Sequence, residues 1–147
     1  FADKSPATVA NYLAYVDSGF YNGTIFHRVI PEFMIQGGGF GPDMKEKETR
    51  APVVNESKNR LQNIRGTLAM ARTNDPDSAT SQFFINQRSN LRLDWAAGRE
   101  GYTVFGEVIQ GMDIVDFIAT APTGRVGGMG DVPKKAIVIN EIVRQKP

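Results

Sequence analysis

Apolar residues, most of them β-branched or aromatic, dominate the stretch from Thr24 to Ile30, interrupted by His27 and Arg28. That pattern predicts a strand. Phe26, Arg28 and Ile30 fall on one face, and Ile25, His27 and Val29 on the other. Pro31-Glu32 reads as a turn, after which Met34 and Gln36 share a face and Gly37-Gly38-Gly39 follows. An arginine on an apolar strand face is costly unless its five donors are satisfied or it lines a wet cleft. Arg28 is therefore the first candidate for a site.

Ser5 as N-cap and Pro6 at the first helical position open a helix whose apolar stripe is Val9, Leu13 and Val16, with Gly19 as its C-cap. Asn22-Gly23 is a turn into the first strand. Further strands are predicted at Gly66–Ala71, Gln82–Asn86, Tyr102–Ile109 and Lys135–Arg144. In the second of these, Gln82, Phe84 and Asn86 share one face, and Phe83 and Ile85 point to the core. A second helix is expected over Gly111–Thr120. The polar or glycine-bearing segments 37–48, 51–65, 72–81, 90–101 and 121–133 read as loops. Strands do not alternate with helices, which argues against a doubly wound α/β sheet and for an antiparallel barrel or sandwich with two packing helices.

The length of 147 residues suits one domain spanning 1–147. A net charge of +1 gives no electrostatic case for nucleic acid or a membrane surface. Without cysteine, disulfide and thiol chemistry are excluded, and one histidine makes the usual zinc sites a poor fit. No apolar run approaches membrane-spanning length.

Each candidate also has a plain structural reading. Arg28 could be a snorkelling or paired arginine. His27, by alternation, faces away from Arg28 and reads as a core histidine. A Ser-His-Asp triad lacks a nucleophile-elbow pattern. The glycines of 37–39 and 127–130 lack the strand and helix context of a nucleotide loop and read as turns. Asp75 and Asp77 do not have calcium-loop spacing, and the sequons at Asn22 and Asn55 read as turn residues.

Phe26-His27-Arg28-Val29-Ile30 followed by Phe33-Met34-Ile35-Gln36-Gly37-Gly38 closely resembles the signature of the cyclophilins, the peptidyl-prolyl cis-trans isomerases. Gly66–Ala71, Ser81–Asn86 and Val104-Phe105-Gly106 resemble further blocks of that family in the same order. The resemblance covers nearly the whole chain. The run Gly37-Gly38-Gly39-Phe40 and the segment Asn86 to Asp94 look like the bacterial branch.

The resemblance implies a mostly β fold, an eight-stranded antiparallel β-barrel capped by two α-helices. The family begins with a strand pair of which only Phe1-Ala2 could remain here, so the chain is expected to be a fragment lacking its N-terminal strands. It implies an isomerase that accelerates rotation about Xaa-Pro bonds and assists folding, with no metal and no cofactor. The alternative is a proline-peptide binding module or chaperone with the same groove and little turnover. By resemblance, Arg28 is the catalytic donor and Gln36 orients it. Phe33, Met34, Phe84 and Leu93 form the proline pocket, and Ala71, Arg72, Thr73 and Gln82 line the groove for the residues preceding proline.

Four positions depart from the family pattern. Arg92 stands where many eukaryotic members carry a tryptophan that helps bind cyclosporin, so weak cyclosporin binding is expected; Trp95, beyond the Leu93-Asp94 pair, is not its equivalent. Tyr102 replaces a histidine at the pocket rim, and Arg72-Thr73 replaces a smaller neutral pair. The expected partners are proline-containing peptides and unfolded proteins, with neither nucleic acid nor membrane, and the chain is expected to be a monomer. The run Asp77–Gln82 looks like periplasmic members, so the periplasm is the expected compartment, with the cytoplasm as the alternative.

Overall fold

The computed structural model describes residues 1–145. Helix α1 (Pro6–Asp17) is followed by β1 (Arg28–Ile30), β2 (Met34–Gly37), β3 (Thr67–Met70), β4 (Phe83–Asn86), β5 (Val104–Glu107), helix α2 (Met112–Ile118), β6 (Thr123–Val126) and β7 (Met129–Pro133). Strands β1–β5 form one sheet in the order β1-β2-β4-β3-β5, and β6 and β7 form a separate hairpin. Every pairing is antiparallel, and β7 lies beside β1. The fold is mostly β with two helices, as the alternation and the resemblance imply.

Two expectations are corrected. Segment 121–133 is not a loop: it holds the β6–β7 hairpin, in which Val126 pairs with Met129 across Gly127-Gly128. Gly127 has φ +58°, the left-handed backbone that tight hairpin turns require, in keeping with the turn read from these glycines. The predicted strand Lys135–Arg144 forms no regular strand among the described residues. It contributes one bridge, Ile25 to Val138, flanked by hydrogen bonds from Phe26 N–H to the Ile137 carbonyl and from Ile139 N–H to the Thr24 carbonyl.

The start of α1 also differs from expectation. Ser5 occupies the N-cap position, but its side chain makes no cap hydrogen bond. It is fully buried, and its hydroxyl donates instead to the Val104 carbonyl on β5 at 2.7 Å. The Glu56 carboxylate takes over the capping, accepting from Ala7 N–H at 3.2 Å and from Thr8 N–H and the Thr8 hydroxyl, both at 2.7 Å. A carboxylate facing orphan N–H groups at a helix start is favoured by hydrogen bonding and by the helix dipole together. Gly19, at φ +71°, follows the C-cap Ser18 and turns the chain out of the helix.

Helix α1 packs Tyr15 and Val16 against Tyr21, Met70, Phe83 and Phe105. Helix α2 packs Val115 and Ala119 against Val29 and Ile35. Both clusters use one face of the sheet. The other face carries a third cluster, Met34, Ala69, Phe84 and Val104, with Ile30, Phe33, Ala71, Leu93 and Tyr102 around it. The period-two alternation of each strand is thus spent on two different tasks: helix-covered core on one side, an open pocket on the other.

Candidate active site

Register builds the site. Arg28 pairs with Gln36 across β1 and β2, Gln36 pairs with Phe84 across β2 and β4, and Phe84 pairs with Ala69 across β4 and β3. These four residues form one cross-strand row on the face away from the helices. The adjoining row runs Ile30, Met34, Asn86. A one-residue slip of β1 or β2 would turn Arg28 or Gln36 to the opposite face.

A cavity of about 220 Å³ lies over these rows, lined by Arg28, Phe33, Met34, Gln36, Ala71, Arg72, Phe84, Leu93 and Tyr102. Met34 and Phe84 are buried and form its apolar floor. Tyr102 meets Phe84 edge to face at 5.9 Å, closing one wall. Arg28 is exposed at the rim, where Nη1 donates to Gln36 Oε1 at 3.3 Å. Gln36 Nε2 in turn donates to Gln82 Oε1 at 2.9 Å. The two amides thus pass orientation from Gln82, the residue before β4, to the guanidinium.

A groove of about 340 Å³ continues from this cavity, sharing Gln36, Ala71 and Arg72 and adding Thr73 and Gln82. Its loop is braced by Thr73 N–H and Oγ1, each 2.8 Å from Ser78 Oγ. The Arg72 guanidinium spans the border. It donates to the carbonyls of Thr73, Gly101 and Glu100 at 2.8, 3.1 and 3.1 Å, and lies 4.5 Å from the Tyr102 ring centroid. All eleven site residues singled out from the sequence therefore line this cavity or its groove.

The strand pattern does not show what holds the pocket walls. Behind Phe33 and Leu93 lies a buried amide network. Asn86 Nδ2 donates to Asn63 Oδ1 at 3.1 Å and Thr67 Oγ1 at 2.9 Å. Asn90 Nδ2 donates to Asn86 Oδ1 and to the Phe33 carbonyl, both at 2.9 Å. Asn63 donates from its backbone N–H and side chain to Asp94 Oδ1 at 2.7 and 3.0 Å. These asparagines come from segments distant in sequence, and a fully paired buried network specifies one arrangement. One sequence signal does exist: alternation already puts Asn86 on the pocket face beside Phe84. Gly39 is a second such element, since a Cβ there would lie 2.5 Å from Gln82 Cγ and 2.7 Å from Gln82 Nε2. Arg92 is a third, its guanidinium 4.8 Å from the Phe33 ring centroid.

His27 is 5% exposed, faces away from Arg28 and packs its ring 4.5 Å from that of Phe40. Its Nδ1 has no hydrogen-bond partner. Burial, with a smaller contribution from the Arg28 charge, lowers its pKa to about 4, so it is neutral at pH 7 and takes no part in the pocket. The pocket offers the Arg28 and Arg72 guanidinium groups at the rim of an apolar floor, and no carboxylate lines it. That arrangement can grip a small apolar ring and polarise an adjacent amide.

Comparison with known proteins places the chain in a family. The family profile described as cyclophilin type peptidyl-prolyl cis-trans isomerase/CLD matches residues 1–144. Peptidyl-prolyl cis-trans isomerase A of Dickeya dadantii is 57% identical over 136 residues, covering 92% of this chain and 72% of that protein. Peptidyl-prolyl cis-trans isomerase B of Escherichia coli is 55% identical over 145 residues, covering 97% and 88%. A Cryptosporidium parvum cyclophilin type isomerase, solved in the presence of the dipeptide Ala-Pro, superposes with a TM-score of 0.83 at 30% identity over 100% of this chain and 90% of that one. The chain belongs to the cyclophilin-type peptidyl-prolyl cis-trans isomerases, and bacterial members of that family are among its close relatives.

Proposed function

We propose that Arg28 is the catalytic donor of this isomerase, that Gln36 positions it, and that Phe33, Met34, Phe84 and Leu93 hold the proline ring while the residues before proline run along Ala71, Arg72, Thr73 and Gln82. The peptide bond resists rotation by about 18–20 kcal/mol because its C–N bond has partial double-bond character. Before proline the two isomers differ by only about 0.5–1 kcal/mol, so the task is purely kinetic. In the twisted state resonance is lost and the proline nitrogen gains a free lone pair. A fixed cation stabilises that state more than either planar isomer, and this difference accelerates the reaction. Arginine suits the role because it stays charged at any working pH and presents a rigid fork of donors.

The observation that carries this reading is the row Arg28, Gln36, Phe84, Ala69: donor, orienting amide, ring floor and small spacer on successive strands of one face. The test is exchange of an Ala-Pro peptide by the parent and by Arg28→Ala. Loss of one preorganised donor costs on the order of 10²–10³ in rate. A folded Arg28→Ala protein that retains most of the parental rate overturns the assignment.

The family's binding of proline-containing peptides extends, in this proposal, to unfolded chains whose folding is limited by proline isomerisation. The protein acts as a monomer in the periplasm, the alternative compartment being the cytoplasm; sedimentation and cell fractionation check these two statements. Cyclosporin binds weakly because Arg92 stands where many eukaryotic members have a tryptophan. An inhibition constant as low as that of a tryptophan-bearing member contradicts this.

A further inference from the structure

The pocket mouth carries more positive charge than the isomerisation needs. Arg28, Arg72 and Arg92 surround it: two line the cavity, and the third stacks on its Phe33 wall. No aspartate or glutamate lines the cavity. The ion pairs among the described residues are Arg65–Asp116, Arg88–Glu32 and Arg144–Asp17, so none of the three mouth arginines is neutralised by a carboxylate. Glu46 is the one carboxylate on the adjoining groove.

The three guanidinium groups differ in how they are held. Arg28 has its bond to Gln36. Arg72 gives three N–H groups to backbone carbonyls, which fix it in place without cancelling its charge. Arg92 is exposed, has no hydrogen-bond partner among the described residues, and lies over the face of Phe33. A guanidinium lying on a ring keeps its edge, where the N–H groups point, open to an incoming acceptor. Its planar fork matches a carboxylate.

We propose that this mouth selects substrates with an acidic residue flanking the proline, and that Arg92 is the specificity-determining residue that reads the carboxylate. The inference rests on the assignment of this pocket to the proline ring. With Arg72 at the groove border and Arg92 over the Phe33 ring, a residue on either side of a seated proline meets a guanidinium. A lysine there is repelled by the same charges. Exposed ion pairs are individually weak, so the discrimination is modest and depends on salt.

The test compares kcat/KM for matched peptides that carry Glu, Gln or Lys immediately before or immediately after the proline. At low ionic strength the Glu peptide is favoured over the Lys peptide by about three- to tenfold at one of these positions at least. The ratio shrinks toward one at about 1 M salt, where the Debye length is about 3 Å. Arg92→Gln lowers the ratio at least twofold and Arg92→Lys retains part of it, whereas a residue that merely covers Phe33 would change all peptides alike. Because the readout is a ratio within one protein, a general loss of rate does not mimic the effect. A parent that catalyses isomerisation with a Glu-to-Lys ratio of one at both positions overturns the proposal and leaves the isomerase activity standing. So does a ratio that Arg92→Gln leaves unchanged.

Discussion

Mild acid destabilises this protein through His27 in a pH range above that of its depressed carboxylate, Asp116. The imidazole is 5% exposed and its Nδ1 has no partner, so protonation places a charge in a buried site beside the Arg28 backbone. Burial, and then the Arg28 charge, lower its pKa from 6.5 to about 4. Between those values the unfolded chain binds a proton that the folded chain refuses, so stability is full above pH 6.5 and falls as pH drops toward 4. At about 1.4 kcal/mol per unit, the loss is roughly 2 kcal/mol at pH 5 and roughly 3 kcal/mol at pH 4. Asp116, whose pKa is held near 2 by hydrogen bonds from Arg65 and Gln87, loses its contribution only at lower pH, so the two windows do not overlap.

The assay is urea unfolding of the parent and of His27→Phe from pH 7.5 to pH 4. Groups common to both proteins cancel in the difference between them. Phe keeps a ring against Phe40 and removes the titration, whatever it does to stability at neutral pH. The stability of the variant relative to the parent should rise by about 3 kcal/mol across the range. A difference that stays flat with pH refutes the reasoning, because it means that His27 either finds a partner for its proton or is not shielded from water.

Three further outcomes are expected. Gly39→Ala puts a Cβ 2.5 Å from Gln82 Cγ and pushes away the amide that holds Gln36, so kcat/KM falls by about 10- to 100-fold with the fold intact; an unchanged value by peptide exchange removes Gln82 from the relay. Glu56→Ala frees two N–H groups of α1 and the buried Thr8 hydroxyl, lowering stability by about 1–3 kcal/mol in urea melts; a change under about 0.3 kcal/mol would show that water replaces the cap. The rate of isomerisation should vary little between pH 6 and 8, since a guanidinium donor keeps its charge at any working pH and burial keeps His27 neutral near pH 7; a steep pH–rate profile contradicts a cation-only mechanism.

The sequence by itself determined which side chains could meet. Alternation separated Arg28 from Val29 within Phe26–Ile30, and Phe84 and Asn86 from Phe83 and Ile85 within Gln82–Asn86, because the pleat has a period of two regardless of what packs on it. Pro6 and Gly19 bracketed the first helix by local backbone chemistry alone. The resemblance supplied the site residues, and the structure gathers all eleven around one cavity and its groove.

Only the tertiary structure decided the contacts that link segments distant in sequence. It paired Arg28 with Gln36 and Gln36 with Phe84, which is a matter of register between strands rather than of either strand's composition. It gave the capping of α1 to Glu56 and turned Ser5 to Val104, because a hydroxyl in the core bonds the acceptor that burial brings to it. It found a hairpin in segment 121–133 and only a bridge in 135–144, since strand formation needs a partner edge as well as β propensity. It assembled Asn63, Asn86, Asn90 and Asp94 behind the pocket wall of Phe33 and Leu93. Isolated polar residues in three segments carry no period, and they become a network only when folding removes the water that would otherwise satisfy them.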